Sequence, residues 1–162
     1  MMQESLPTPK KPWNQRWAIL LRPLPGSQEI SKPRMIGIVG IVREQEIGYK
    51  VHPDFWGKGY MTEALRMFIN MYWKMEGKIS SPFFCEKSIS LVNNIVLISV
   101  LVNTKYDKLI AAADPGNPAS LRILEKAGFQ KGEYKKDFYE RVVDGLVIKG
   151  DLQFFYLPRP QF

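Results

Sequence analysis

The residues best suited to chemistry in this sequence lie in one glycine turn, Trp56-Gly57-Lys58-Gly59-Tyr60-Met61. Glycines on both sides of Lys58 indicate a sharp turn or a close approach of the backbone to a ligand. Beyond the turn, apolar residues recur at helical spacing from Met61 to Tyr72. The first N–H groups of a helix have no partner inside the helix, and the helix dipole favours negative charge there. The turn therefore predicts a site for a phosphate or pyrophosphate.

Two common phosphate-binding loops fit this turn less well. A P-loop requires Ser or Thr after the lysine, where Gly59 stands, and the dinucleotide fingerprint requires a third glycine at the position of Thr62. A structural glycine turn that binds no ligand is the remaining alternative.

Few other side chains offer proton transfer or metal binding. His52 is the only histidine, and because imidazole changes its charge near neutral pH it is a candidate for moving a proton. A structural or solvated histidine is the alternative. One histidine and one cysteine make no ligand cluster, so no metal is expected. The aromatic residues near the turn could stack on nucleobases, but their spacing predicts core positions: Trp56, Tyr60, Phe68, Tyr72 and Trp73.

The glycine turn lies between a predicted strand and a predicted helix. Ile47, Tyr49 and Val51 alternate with other residues as in a half-buried strand. Pro53 ends the hydrogen-bonding ladder because it has no N–H to donate. Further strands are predicted at 17–21, 35–42, 108–113, 133–143 and 147–157, the last two joined at Asp144-Gly145.

A second helix is predicted after the strand at 108–113. Asn117 is a favourable N-cap, and Pro118 suits the first helical position. Gly128 is expected to end the helix in a left-handed conformation, so that Phe129 can pack back on Leu124. These signals place the helix between Asn117 and Gly128.

The composition is that of a single globular domain. The 162 residues supply enough core for one fold, and the formal charge of +7 suits an anionic partner. The lysines are scattered, so charge does not choose between a phosphorylated small molecule and nucleic acid. Residues 1–12 are expected to be a disordered leader rather than a signal peptide, followed by one domain at 13–162. The single Cys85 excludes an internal disulfide and favours a cytoplasmic location.

Residues near 80–103 are expected to be an insertion in this domain. The stretch from Ser88 to Val102 is strongly apolar and rich in Ile, Val and Leu. It is shorter than the about 20 residues that a membrane span requires. A buried strand or hairpin, a gene-model artefact such as a translated intron, and a surface for a membrane or partner all remain open.

Two segments resemble the GNAT superfamily of N-acetyltransferases, and within it the ribosomal-protein N-acetyltransferase branch. The first is similar to the coenzyme A-binding motif and consists of Glu46-Ile47-Gly48-Tyr49, Pro53, Trp56-Gly57-Lys58-Gly59-Tyr60 and Thr62-Glu63-Ala64-Leu65. The second is similar to the family's second motif and consists of Asn117-Pro118-Ala119-Ser120 and Leu124-Glu125-Lys126-Ala127-Gly128-Phe129. The two motifs follow each other in the family order.

The resemblance implies an α/β (α+β) fold of the GNAT type. Its central sheet is mixed, mostly antiparallel and splayed at the cofactor site, with flanking helices. Members of the family carry another strand and two helices before the position of Trp17, and the preceding residues here are too few to form them. The first strand and two N-terminal helices are therefore expected to be missing. The oligomeric state is left open.

The resemblance also implies roles for single residues. Acetyl-CoA is expected as cosubstrate, with binding residues at Val51, Trp56, Gly57, Lys58, Gly59, Tyr60, Met61 and Asn117. Glu46 is the carboxylate nearest to the family's general base, and a structural or solvent-facing carboxylate is the alternative. Many members use a tyrosine as general acid where this sequence has Leu124, so Ser120 becomes the candidate donor to the leaving thiolate. A residue that only closes the helix cap is the alternative for Ser120.

The implied function is an acetyl-CoA-dependent N-acetyltransferase that transfers acetyl to a primary amine by direct attack. The amine could belong to a small molecule or to a protein N-terminus; no DNA partner and no membrane span are expected. A CoA-binding or inactive relative that serves as a binding module is the alternative. A basic RNA-associated protein is the third hypothesis.

Overall fold

The computed structural model describes residues 14–21, 33–74, 89–92, 95–98 and 106–160. The chain divides into two compact units: unit 1 comprises Met1–Glu44 and Gly48–Lys105, and unit 2 comprises Gln45–Ile47 and Tyr106–Phe162. The leader predicted at 1–12 lies outside the described residues. The absence of the first strand and the two N-terminal helices stays a prediction.

Unit 1 combines strands with one helix. Its elements are β1 Gln15–Leu21, β2 Arg34–Arg43, most of β3 Glu46–Val51, a 3₁₀ turn Pro53–Phe55, α1 Tyr60–Lys74, β4 Ile89–Val92 and β5 Ile95–Ile98. Within this unit the strand order is β4-β5-β1-β2-β3, and β1 is antiparallel to both of its neighbours. These bounds confirm the strands predicted at 17–21 and 35–42 and the strand, turn and helix around the glycines.

The helix α1 is anchored by one apolar face. Ala64, Leu65 and Phe68 of this face have 0% exposed surface. The ring of Phe68 lies 4.8 Å from that of Trp17 on β1. Each fully buried aliphatic or aromatic side chain contributes about 1.5–3 kcal/mol, so this face holds α1, and with it the glycine turn at its start, against the sheet of unit 1.

The segment near 80–103 contains two described strands. β4 and β5 pair antiparallel, with Ile89 opposite Ile98 and Val92 opposite Ile95. β5 continues the sheet from β1 by placing Leu97 opposite Ile19. This backbone pairing agrees with the strand or hairpin alternative. The origin of the segment as an insertion or a gene-model artefact stays a prediction.

Unit 2 contains the rest of the sheet and the second helix. Its elements are the first two residues of β3, β6 Lys108–Ala113, α2 Pro118–Lys126, β7 Gln130–Val143 and β8 Leu146–Pro158. The strand order is β3-β6-β8-β7, with β3 parallel to β6 and the other pairs antiparallel. Its core contains Leu109, Leu124, Phe129 and Phe155. The mixed, mostly antiparallel sheet with helices confirms the predicted α+β class.

Both ends of α2 are formed by local hydrogen bonds, as predicted. At the start, Oδ1 of Asn117 accepts the backbone N–H of Ser120 at 3.1 Å. At the end, Gly128 has a φ of +94°, and the N–H of Phe129 donates to the carbonyl of Leu124 at 3.0 Å. This is a Schellman motif, in which glycine takes the left-handed position. Leu124 and Phe129 are both buried, which agrees with the predicted packing of one on the other.

The strands β7 and β8 form the predicted hairpin. Asp144 and Gly145 have φ values of 50° and 79°, as in the turn type that matches strand twist. β7 starts at Gln130 rather than at 133, because the register shifts between Lys131 and Tyr134 and the strand continues past the irregularity. A β-bulge of this kind adds a residue without ending the strand.

Candidate active site

The glycine turn leaves backbone donors available at the N-terminus of α1. The N–H groups from Gly57 to Thr62, here called the donor segment, have no acceptor among the described residues, and the first helical bond runs from Glu63 N–H to Gly59 C=O at 3.1 Å. Gly57 and Gly59 have φ values of +73° and +82°, which glycine adopts without strain. Among the described residues, a Cβ at either position would meet nothing within 4 Å. The donor segment therefore offers backbone N–H groups at a helix N-terminus, which suits an anion.

Three hydrogen bonds brace the turn just before the donor segment. Nε1 of Trp56 donates to the carbonyl of Val51 at 2.7 Å, and the backbone N–H of Trp56 donates to the carbonyl of Pro53 at 3.0 Å. Nζ of Lys58 donates to the carbonyl of Asp54 at 2.9 Å. The Trp56 side chain is 67% exposed, so its predicted core position is wrong. Its indole N–H finds an acceptor at the strand end, which keeps the ring at the surface.

Two cations lie beside the turn and contact one buried ring. The guanidinium of Arg34 lies 5.0 Å from the centre of the Phe55 ring, and Nζ of Lys58 lies 5.3 Å from it. Tyr60 is half-buried, and its ring centre lies 6.2 Å from that of Phe55. Arg34 also lies 4.0 Å from the exposed carboxylate of Asp54. Arg34 adds positive charge next to the donor segment, and sequence reasoning missed it because it lies on β2, outside both motifs.

His52 caps the 3₁₀ turn that precedes the glycines. Its Nδ1 accepts the backbone N–H of Asp54 at 3.4 Å and lies 3.6 Å from the carboxylate of the same residue. The backbone N–H of His52 donates to the carbonyl of Ile36 at 2.8 Å. These contacts agree with a structural histidine. A role for His52 as a base stays a prediction.

Glu46, Asn117 and Ser120 belong to unit 2. Glu46 is half-buried on β3 opposite Ile110 of β6. The hydrogen bond between Asn117 and Ser120 brings these two residues together at the start of α2, where Ser120 is half-buried. Because this bond uses the backbone N–H of Ser120, the cap does not require the serine hydroxyl. Of the residues predicted to exchange protons, Glu46 thus lies on a strand, His52 before a turn and Ser120 at the start of a helix.

Glu63 is a further unusual group in the first turn of α1. Its Oε1 is buried and has no hydrogen-bond partner within the described ranges. Burial raises the pKa of the Glu63 carboxyl above its ordinary value. The motif contains this glutamate, but only packing shows that one of its oxygens is withdrawn from water.

We expect Glu63→Gln to raise the melting temperature at pH 7 and to leave it nearly unchanged at pH 4. A carboxyl whose pKa is raised on folding favours the folded state below its unfolded pKa, near 4.5, and this contribution is lost as the pH rises through the folded value. Glutamine cannot ionise and avoids that loss. Thermal denaturation between pH 4 and 8 measures the effect, with Glu125→Gln at an exposed position of α2 as control. An equal gain at both pH values would contradict the burial argument.

Each unit taken by itself carries groups with a possible chemical role. The donor segment, Lys58 and Arg34 attract negative charge, and Glu46, His52 and Ser120 can take or give a proton. In the described part of the chain, no group of three or more His, Cys, Asp or Glu residues could hold a metal ion.

Solved structures share this fold at low sequence identity. A chimera of spermidine N-acetyltransferase from Vibrio cholerae and hSSAT is 14% identical with a TM-score of 0.52, and the match covers 81% of this chain and 64% of that one. Ribosomal-protein-S5-alanine acetyltransferase from Vibrio fischeri is 17% identical with a TM-score of 0.52, and the match covers 78% of this chain and 55% of that one. A GNAT-family acetyltransferase from Bacillus anthracis is 18% identical with a TM-score of 0.52, and the match covers 80% of this chain and 62% of that one. This chain thus spans less than two thirds of the length of each of these proteins.

The sequence also matches a protein family described as an acetyltransferase (GNAT) domain. The match covers residues 2–130 and includes the glycine turn, Asn117 and Ser120. It takes in well over half of the chain, so the similarity extends far beyond the two motifs. The chain therefore belongs to the GNAT acetyltransferase domain family.

Proposed function

We propose that this protein is an acetyl-CoA-dependent N-acetyltransferase that acts on a primary amine by direct attack. The observation that carries the proposal is the donor segment at the start of α1, in a chain of the GNAT family. CoA contains a pyrophosphate, and consecutive backbone N–H groups at a helix N-terminus are suited to hold one.

The residues of the turn fit this part of CoA. The left-handed glycines carry no side chain that could cover the N–H groups, and Lys58 adds a positive charge beside them. In the proposal the cofactor is held by Val51, Trp56, Gly57, Lys58, Gly59, Tyr60, Met61 and Asn117. Arg34 joins them because its guanidinium contacts the Phe55 ring that Lys58 also contacts.

Bound acetyl-CoA supplies an activated acetyl thioester. The protein must then remove a proton from the amine and supply one to the leaving sulfur. In this proposal the carboxylate of Glu46 accepts the amine proton, and the hydroxyl of Ser120 donates to the sulfur. His52 is the second candidate base, ranked lower because its ring nitrogen already contacts Asp54.

The acceptor is proposed to be the primary amine of a small molecule or of a protein N-terminus. Two proteins with this fold are a spermidine N-acetyltransferase and a ribosomal-protein-S5-alanine acetyltransferase, which supports either class. A cytoplasmic location is proposed from the single Cys85. None of the helices in the described ranges is long and apolar enough to cross a membrane.

The test is release of the CoA thiol from acetyl-CoA, with spermidine and an alanine-initiated peptide as probe acceptors. We expect release that depends on the amine and a product heavier by one acetyl group in mass spectrometry. CoA binding without amine-dependent release would favour the binding-module alternative. No CoA binding at millimolar concentration would overturn both hypotheses and direct attention to RNA binding.

A further inference from the structure

The carboxylate of Asp114 connects the turn before α2 to strand β7. Its Oδ1 accepts the backbone N–H of Gly116 at 2.7 Å, and its Oδ2 accepts the hydroxyl of Tyr139 at 2.9 Å. The guanidinium of Arg141 lies 3.8 Å from the same Oδ2. The carbonyl of Asp114 accepts the N–H of Asn117 at 2.8 Å. One residue thus ties both the turn and the helix cap to the hairpin.

The turn held by Asp114 leads directly to the proposed proton donor. Asn117 accepts the N–H of Ser120, so three hydrogen bonds lead from Tyr139 through Asp114 and Asn117 to Ser120. Asp114, Asn117 and Ser120 lie close together along the chain, whereas Tyr139 joins them from β7. The orientation of the first turn of α2 therefore depends on the carboxylate of Asp114.

The ring of Tyr139 is seated in a notch that fixes its hydroxyl. A Cβ at position 150 would lie 2.4 Å from the ring, so the buried Gly150 makes room for it. Tyr139 is half-buried, whereas the other residues of β7 are exposed. The hydrogen bond to Asp114 and burial raise the pKa of Tyr139 above its ordinary value, so the hydroxyl remains a donor at neutral pH.

We propose that Tyr139 and Asp114 are positioning residues that hold the start of α2 so that Ser120 keeps its place for proton donation. This inference rests on the proposed function, because it assigns a supporting pair to the same site. Neither residue is assigned a contact with acetyl-CoA or the amine; both act through the helix cap.

The first test is Tyr139→Phe, which removes one hydroxyl and keeps the ring in its notch. We expect kcat to fall about tenfold, because misplacing a reacting group by about 1 Å costs up to about 100-fold. KM for acetyl-CoA should change by a smaller factor, because Asn117 is only one of the residues proposed to hold the cofactor. The matched control is Tyr134→Phe on the same strand, whose hydroxyl donates to Asp151. That control is expected to keep kcat. Equal losses in both variants, or no loss in Tyr139→Phe, would overturn the inference.

A second readout does not depend on activity. Amide hydrogen exchange at Gly116 and Ser120 should become faster in Tyr139→Phe and stay unchanged in Tyr134→Phe. Asp114→Asn should have the same effect, because an amide has one acceptor atom where the carboxylate uses two. Combining Asp114→Asn with Tyr139→Phe should add little, as expected for two members of one contact.

The two readouts separate this inference from the proposed function. If no amine is acetylated, the proposed function fails, and faster exchange in Tyr139→Phe would still support the link to α2. Unchanged exchange in Tyr139→Phe would overturn the inference even in an active enzyme. A rise of KM for acetyl-CoA as large as the fall of kcat would overturn it as well, since the pair would then act mainly on the cofactor.

Discussion

Gly59→Asp is expected to weaken CoA binding by about 100-fold. The substitution places a carboxylate at the donor segment, where the N–H groups from Gly57 to Thr62 are proposed to hold the pyrophosphate. A hydrogen bond to a charged group is worth about 1.5–3 kcal/mol, and about 1.4 kcal/mol corresponds to a factor of ten. Loss of such bonds and the added like charge together account for the predicted factor. Isothermal titration calorimetry with CoA measures it.

Two control variants separate charge from backbone strain. Gly59→Asn has nearly the same size as Gly59→Asp, carries no charge, and tolerates the φ of +82° better than most residues. Gly145→Asp introduces the same side chain at a φ of +79° in the hairpin turn, where a Cβ likewise meets no described residue within 4 Å. We expect both to bind CoA more tightly than Gly59→Asp. If Gly59→Asn were as weak as Gly59→Asp, an anion site at this turn would be contradicted.

Ser120→Ala is expected to lower kcat by about 100-fold while the dissociation constant of CoA stays the same. Proton transfer from a positioned side chain contributes roughly 10²–10⁴-fold, and water in place of the hydroxyl would recover part of it. The substitution should keep the cap of α2, because the cap uses the backbone N–H of Ser120 and alanine is a better helix former. Steady-state kinetics and calorimetry together check both halves of the prediction.

Asn117→Ala is the comparison that isolates the cap from the hydroxyl. It removes the acceptor at the start of α2 and should cost about 1 kcal/mol of stability. Ser120→Ala should lower the melting temperature by less than Asn117→Ala, because it leaves the hydrogen bond of the cap in place. Full turnover in Ser120→Ala would leave Ser120 with a capping role alone and remove it from the proposed chemistry.

Much of the fold was predictable because short stretches of sequence determine where its elements begin and end. Pro53 ends a strand, Asn117 starts α2, and Gly128 ends it in the left-handed conformation. Each of these signals acts through a hydrogen bond or a φ value within a few residues. The same is true of the hairpin turn at Asp144-Gly145.

The candidate site was predictable to the extent that one continuous segment forms it. The donor segment follows from two glycines before a helix, so its geometry agrees with the prediction. Trp56 was predicted in the core and is exposed, because helical spacing does not reveal that the ring precedes the helix and bonds to Val51. The roles of Glu46, His52 and Ser120 in proton transfer stay predictions.

The sequence by itself determined the order of elements, their caps and turns, and the run of backbone donors, since each depends on neighbouring residues. Only the tertiary structure decided that Arg34 contacts Phe55, that Glu63 loses access to water on one oxygen, and that Tyr139 reaches Asp114. These contacts join residues far apart in the chain or depend on packing. They exist only once strand register is set, and the register of β7 includes shifts that no periodic pattern encodes.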